Sequence, residues 1–457
     1  MAGLESSRGN WSSKIGFILA AAGSAIGLGN IWRFPFVTGQ NGGAVFVLIY
    51  VVMVALIGLP VMIAELSIGR HTQRNPVGAF RMLFPRSFWQ IVGAVGVLTG
   101  LGILSFYAVI AGYTLGYFVK TILGNFNQVI SAEQSTQMFQ NFSANPYLSV
   151  GFLLAFIALT VMVVMGGIAA GIERWNKILM PLLFGILLLL AVFSITLDGA
   201  AKGLAFYLKP DLTKITGRTI AQALGQALFS LSLGMGTMLT YGSYLSKKEN
   251  LITSAGYVCL FDTLIAVAAG FVIFPALFAM GMDPAGGPKL VFVVLPSIFA
   301  RMPVGFIFGT LFFLLLSVAA LTSTISLLEV PVAYFVDEHR WSRKKAVVTM
   351  GLIAFVLGIP SALSFGANST LTKLISENFG FLDLMNAIFG NYSLSIGACF
   401  IAIFAGYQWG TKAVAREIQE AGNVFYFRRL WIFLIRFICP IAIFIILAYI
   451  AWTGEYF

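Results

Sequence analysis

Two short segments of the chain combine residue types that suit ion binding better than catalysis. The first reads Ala22-Gly23-Ser24-Ala25-Ile26-Gly27-Leu28-Gly29-Asn30, and the second Phe229-Ser230-Leu231-Ser232-Leu233-Gly234-Met235-Gly236-Thr237. Clustered glycines make a poor helix interior. Unwinding there would free carbonyls that hold a cation and expose a half-helix N-terminus that holds a carboxylate. Close helix packing through small residues is the plainer role of such clusters in membranes. Asp262 sits in another apolar stretch. A carboxylate there is costly unless paired, which makes it a functional candidate by default. Thr322 and Ser323 are adjacent hydroxyls inside a further apolar stretch. Taken alone, they suit local bonds to a carbonyl one turn earlier. Enzyme chemistry finds little support, because no histidine lies within an apolar stretch and no nucleophile has an evident base.

The elements that carry these residues are membrane spans. Of 457 residues, 59% are hydrophobic and only 10% charged, and the mean hydropathy is +0.92. A soluble domain carries about 25% charged residues. Apolar runs of about 20 residues, enough to cross a bilayer, recur along the whole sequence. Eleven spans are expected, at 14–39, 43–69, 88–122, 147–169, 171–197, 217–245, 251–281, 303–336, 346–364, 379–408 and 429–453. All should be helical, since unpaired backbone in lipid is costly. The first has no small-residue cleavage site behind it and reads as a mature span, not a signal peptide.

The formal charge of +11 does not imply nucleic acid, because the basic residues are scattered in loops between apolar spans. Arg8, the Arg70–Arg86 loop, Lys247 and Lys248, Arg340–Lys345, and the Lys412–Arg429 loop all fall on one side. The positive-inside rule makes that side cytoplasmic, so the N-terminus is expected inside and the C-terminus, Trp452 to Phe457, outside a plasma (inner) membrane. The Asn-, Gln- and Ser-rich stretch 124–145 and the Gly- and Pro-rich stretch 283–288 fit external loops. Cys259, Cys399 and Cys439 all lie in apolar runs and read as buried free thiols. His71 and His339 fall in charged loops, which argues against an intramembrane histidine metal site.

The glycine-interrupted spans, first and sixth, hold corresponding places if spans one to five (1–200) and six to ten (215–410) are two repeats, with 429–453 as an added helix. Such a pairing points to a central binding site in a secondary transporter.

At these residues the chain is similar to a known family. Gly23 to Pro35, GSAIGLGNIWRFP, resembles the first-span signature of the neurotransmitter:sodium symporters, including bacterial amino-acid transporters of the LeuT type. The match continues in order through Asn41-Gly42-Gly43, Gly171-Ile172-Glu173-Arg174, Phe229 to Gly236, Ala320-Leu321-Thr322-Ser323 and Asp337-Glu338. It departs from the twelve-span pattern by ending after the eleventh. The resemblance implies an all-α polytopic fold of two inverted five-helix repeats, a sodium-coupled symporter in the lipid bilayer, and two sodium sites. The LeuT fold is itself the standard illustration of broken transporter helices.

The first sodium site would use the Ala25 carbonyl, Asn30, Ser230, Asp262 and the substrate carboxylate. The second would use the carbonyls of Gly23, Ile26 and Ala319 with the hydroxyls of Thr322 and Ser323. Many members carry Asn where Asp262 stands and bind chloride nearby, so fixed negative charge here implies chloride-independent transport. Members that carry amines have an aspartate at the position of Gly27. Its absence leaves room for a substrate bearing its own carboxylate, which would meet Leu28, Gly29 and Tyr107. The ammonium would meet carbonyls of the unwound segments near Ala25, Phe229 and Ser232, with Ser24 and Ser230 also among the substrate-binding residues. Ile103, Phe229, Ser232, Met235, Ser323, Ser326 and Leu327 would line the side-chain pocket. An apolar lining disfavours a charged side chain, and the adaptable Met235 favours several large neutral amino acids, aromatic or branched.

By the same resemblance, Arg33 and Asp383 would close an outer gate and Arg8 and Asp337 an inner one, with Trp11 packed beside it. Gly171 and Pro181 would loosen the fifth span and let water reach the second sodium site. A proton-coupled symporter in which Asp262 titrates, or a non-transporting amino-acid sensor, stays open on the residues alone.

Overall fold

The computed structural model describes residues 9–124, 131–279, 281, 291–301, 304–377 and 379–454. Arg8 and the stretch 283–288 lie outside them.

The first span is two helices. Lys14–Ala25 starts at Ser13, whose hydroxyl accepts from the Gly16 amide at 3.0 Å. It stops where Ile26 turns extended (φ −78°, ψ 104°). The chain resumes at Gly29–Gln40, bent by 49° from the first half. The sixth span repeats the design. Gly217–Ser230 ends, six irregular residues follow, and Thr237–Gly242 continues. Three of the six take positive φ: Ser232 (53°), Gly234 (82°) and Gly236 (77°). At Gly234 a side chain is also excluded by space, because a Cβ would strike the Leu394 carbonyl and lie 2.7 Å from the Ala398 amide. The glycines therefore unwind the helix, which is one of the two readings that the sequence allowed.

The other spans are continuous: Ala44–Thr72, Trp89–Ile122, Pro146–Met165, Ile168–Ile195, Leu251–Ala279, Gly305–His339, Arg343–Leu363, Phe381–Gln408 and Arg428–Thr453. With the bent first span these make ten among the described residues that are long and apolar enough to cross a membrane; the interrupted sixth, Gly217–Ser230 and Thr237–Gly242, was expected as an eleventh and is too broken to qualify by length. The third and eighth pack on each other at the centre. Of their most apolar windows 78% and 83% are buried, against 33% for the eleventh, which is peripheral.

Several sequence expectations shift. The polar stretch 124–145 holds a helix, Ala132–Ser143, opened by a capping box between Ser131 and Gln134. A second helix outside the spans, Thr411–Gln419, follows the tenth span. Neither histidine is in a loop: His71 lies in the last turn of the second span and bonds Glu417 at 2.8 Å, and His339 is the last residue of the eighth span's helix. Cys259 and Cys439 are buried free thiols, whereas Cys399 is only half-buried, on the side of its span that faces the eleventh.

Candidate substrate and cation site

The two breaks face each other at the middle of the fold. Between them lies a cavity of about 310 Å³, part of it open, lined by Ser24, Ala25, Gly27, Gly29, Ile103, Tyr107, Phe229, Ser230, Ser232, Met235, Ser323 and Leu327. Every lining residue was named from the sequence. Of the pocket residues named there, Leu28 and Ser326 stand just behind the wall. Ser326 accepts a 2.7 Å bond from Ser24 Oγ. Leu28 donates its amide to the Tyr107 hydroxyl at 2.8 Å.

Gly27 is where the pocket floor is tightest. A Cβ there would strike Ser323 Oγ and lie 2.5 Å from the Tyr107 hydroxyl. An added side chain would force Ser323 Oγ and the Tyr107 hydroxyl to shift, so with glycine the backbone of the break itself faces the cavity. Gly29 lies against Phe229, whose Cδ1 would be 3.3 Å from a Cβ at that position. Ser232, in its left-handed conformation, donates to the Ser24 carbonyl at 3.0 Å and ties the two breaks together. Such strained backbone persists only where its surroundings enforce it, and it concentrates at binding sites.

Beside the cavity, three side chains converge on one carboxylate. Asp262 Oδ1 accepts from Asn30 Nδ2 at 2.8 Å and from Ser230 Oγ at 2.7 Å. Its Oδ2 accepts from the Tyr50 hydroxyl at 2.8 Å. Asn30 Oδ1 in turn accepts from the Gly27 amide at 3.1 Å. Asp262, Asn30 and Ser230 were expected to meet; Tyr50 was not. Its signal was available, since a tyrosine inside an apolar run needs a partner for its hydroxyl.

A second oxygen cluster forms where the first span breaks against the eighth. Thr322 Oγ1 lies 3.3 Å from the Ile26 carbonyl and 2.9 Å from that of Ala319. Ser323 Oγ lies 3.3 Å from the Ser24 carbonyl and 3.4 Å from that of Ala319. The local bond to a carbonyl one turn earlier exists, and so does the contact across to the first span. Both clusters consist of hard oxygens, the donor set that a small cation prefers. Among the described residues no group of three or more His, Cys, Asp or Glu could hold a metal ion.

The gate residues divide. Arg33 and Asp383 form no ion pair. The Arg33 guanidinium instead lies 4.7 Å over the Phe229 ring, and the exposed Asp383 accepts from the Gly380 amide at 2.9 Å, capping its own helix. The position of Asp383 at a helix start explains the difference, since its carboxylate already serves an N-terminal amide. At the other end Trp11 donates to the Tyr241 carbonyl at 3.0 Å and packs edge-on against Phe17, Tyr241 and Tyr244. Asp337 accepts from the Asn75 amide at 2.9 Å and side chain at 3.0 Å.

Two carboxylates buried within membrane spans escaped the sequence reading. Glu65 is fully buried and accepts from the Gly234 amide at 2.7 Å, inside the sixth-span break. Glu329 accepts from Tyr244 at 2.7 Å and from Arg343 at 2.6 Å. The rule applied to Asp262, that a carboxylate in an apolar run is functional, reaches both. The fifth span opens with a wide π-helical stretch, Ile168–Glu173, and carries Pro181 inside its regular part.

Comparison with known proteins agrees with this geometry. A sequence model of the sodium:neurotransmitter symporter family matches residues 8–137 and 133–454. An uncharacterized sodium-dependent transporter of Bacillus subtilis, YhdH, is 41% identical over 95% of this chain and 96% of its own. An uncharacterized sodium-dependent transporter of Haemophilus influenzae is 36% identical over 96% of this chain and 97% of its own. Among solved structures, that of MhsT in complex with L-phenylalanine is 47% identical, covers 97% of this chain and 99% of that one, and superposes with a TM-score of 0.89. With the fold, the paired breaks and the full-length relatives in agreement, the chain belongs to the sodium:neurotransmitter symporter family and is a LeuT-fold, sodium-dependent multi-pass membrane transporter, not an enzyme.

Proposed function

We propose that this symporter imports neutral, large apolar or aromatic L-amino acids by alternating access, with two sodium ions and without chloride. The observation that carries the substrate class is the pocket itself. Phe229, Met235, Ile103 and Leu327 give it apolar walls, and small hydroxyls give it no fixed charge for a charged side chain. With no side chain at Gly27 the substrate brings its own carboxylate, which displaces the Leu28–Tyr107 bond and takes the amides of Leu28 and Gly29 and the Tyr107 hydroxyl. The ammonium faces carbonyls of Ala25, Phe229 and Ser232. L-Phenylalanine in MhsT, whose fold this chain shares, supports the same class.

The first sodium joins the Ala25 carbonyl, Asn30, Ser230, Asp262 and the substrate carboxylate. The second joins the carbonyls of Gly23, Ile26 and Ala319 with Thr322 and Ser323. Asp262 supplies the negative charge that would otherwise call for chloride. The end that bears Arg70, Lys247 and Arg343 is cytoplasmic, which places Arg33 and Asp383 on the outside. In this reading Arg33 and Asp383 pair only when the outer side closes, whereas Asp337 with Arg8, and Trp11 with Tyr241, hold the inner side. Loosening of the fifth span between Gly171 and Pro181 then admits water to the second sodium.

The test is a binding screen of the twenty amino acids on purified protein, with and without sodium, and with chloride replaced by gluconate. Sodium-dependent binding of aromatic and branched amino acids, unchanged in gluconate, is expected. A strict preference for glycine or a charged amino acid would overturn the substrate class, and loss of binding in gluconate the chloride independence.

A further inference from the structure

The fifth span carries a buried oxygen that its own surroundings leave without a role. Asn176 is fully buried. Its Nδ2 donates to the Ile172 carbonyl at 2.9 Å, which fixes the amide's orientation. Its Oδ1 has no hydrogen-bond partner among the described residues. An acceptor left this way costs about 1–3 kcal/mol. An apolar residue of similar size would avoid that cost. Oδ1 is aimed at Gly23, where a Cβ would strike it, with Met180 Sδ 3.3 Å from the same point. Gly23 is one turn before the break that carries the second cation cluster.

The same two helix faces continue toward the basic end of the molecule. Gly16, seven residues before Gly23 and on the same face, lies against Glu173, one turn before Asn176. Glu173 Oε1 accepts from Ser12 Oγ at 2.6 Å and Ser13 Oγ at 2.9 Å, and pairs with Lys177 at 2.6 Å. A seam of oxygens therefore runs between the first and fifth spans, from the Ile26 and Thr322 cluster, past Asn176, to Glu173 and the serines. The two glycines let the fifth-span oxygens pack directly on the first span, and Asn176 Oδ1 is the member with no hydrogen-bond partner among the described residues. A group that accepts and finds no donor in this conformation suits a visitor with positive charge.

We propose that Asn176 Oδ1 is a transient sodium-binding oxygen, the first stop for the ion that leaves the second cation site between the first and fifth spans. This inference rests on the two-sodium reading above. It makes opposite demands on two substitutions. Asn176→Leu removes the oxygen but keeps the bulk. Asn176→Asp keeps the oxygen and adds a charge that retains the ion.

The experiment uses the purified full-length protein for sodium titration of L-phenylalanine binding, and proteoliposomes for uptake and release of radiolabelled sodium. For Asn176→Leu the half-saturating sodium concentration stays near wild type while sodium release slows roughly 5- to 150-fold. For Asn176→Asp the half-saturating concentration falls and release also slows. A purely structural asparagine predicts the reverse, because filling its place with leucine removes an unpaired buried acceptor at no cost to transport. Wild-type release in Asn176→Leu, or a shift of sodium affinity in the same direction for both variants, would overturn the proposal. Asn176→Ala, which keeps the backbone and opens space, repeats the test should leucine prevent binding at saturating sodium. Wild-type protein that shows one sodium per substrate would overturn the two-site reading and this inference with it, whereas a normal wild type with normal variants overturns this inference alone.

Discussion

The Tyr50 hydroxyl donates to Asp262 Oδ2 at 2.8 Å, joining the second span to the seventh across the floor of the site. Asp262 Oδ1 already serves Asn30 and Ser230. Tyr50 thus holds the half of the carboxylate that those two leave unbound, and keeps the charge turned toward them. Tyr50→Phe should leave that oxygen buried and unpaired, at a cost of about 1–3 kcal/mol. The expected result is a rise in the sodium concentration that half-saturates amino-acid binding, by about 5- to 150-fold. Asp262→Asn removes the charge altogether; binding should then weaken in gluconate and recover when chloride is restored. A sodium titration of the two variants in the two anions checks both, and an Asp262→Asn protein indifferent to chloride would refute the charge argument.

Gly27→Ala tests whether the backbone itself is the recognition surface. The new methyl would strike Ser323 Oγ and Tyr107. Overpacking of this kind costs about 1–3 kcal/mol, here concentrated on the groups that would hold a carboxylate. Substrate affinity should fall with little change in thermal stability, as read by calorimetric binding alongside a melting curve. Unchanged affinity would show that the carboxylate lies elsewhere.

Much of this site was legible in the sequence because its residues are unusual for where they lie. Glycines in the middle of a span, a carboxylate among apolar residues and paired hydroxyls each contradict their surroundings, and ordered motifs joined them into one family pattern. The partners that lay far apart in sequence were harder to see. Tyr50 looks like any tyrosine of an apolar run until the seventh span is placed beside it. Asn176 looks like a polar residue near a span end, and only the packing of Gly23 shows where its oxygen points. The Arg33 and Asp383 pair was drawn from the family pattern, and a local competitor, the Gly380 amide, holds the carboxylate in this conformation.

Glu65 pins the sixth-span break by accepting from the Gly234 amide at 2.7 Å. Gly234 has no helical partner to replace it, so Glu65→Ala strands a buried N–H and opens a cavity. Glu65→Gln keeps an acceptor oxygen at the same reach. The alanine variant should lose thermal stability and sodium-dependent binding together, and the glutamine variant should recover most of both. Equal damage from the two substitutions, in melting curves and binding isotherms, would mean that the charge and not the hydrogen bond matters.

The helix Thr411–Gln419 is clasped to the second span by one carboxylate, and that clasp sets a pH dependence. Glu417 Oε1 accepts from Arg70 Nε at 2.7 Å, and Oε2 faces His71 at 2.8 Å and Lys247 at 3.0 Å. Burial pushes the carboxyl upward, but the hydrogen bonds from His71 and Arg70 and the Arg70 charge outweigh it and hold it at about 2, below its ordinary 4.5. A carboxylate with a lowered folded pKa contributes stability above the unfolded value and loses it as pH falls through the folded one. The contribution should therefore be whole above pH 4.5 and fade toward pH 2. Arg70 is fully buried, so Glu417→Gln leaves its charge uncompensated, at a cost of about 3–5 kcal/mol near neutral pH. The gap in melting temperature between variant and wild type should accordingly be widest at neutral pH and narrow steadily in acid. Glu420, 3.3 Å from Lys247 and half-exposed, remains in both proteins and cancels in the comparison. A gap that stays constant down to the acid limit of the folded protein would show that Glu417 holds the helix by shape and not by charge.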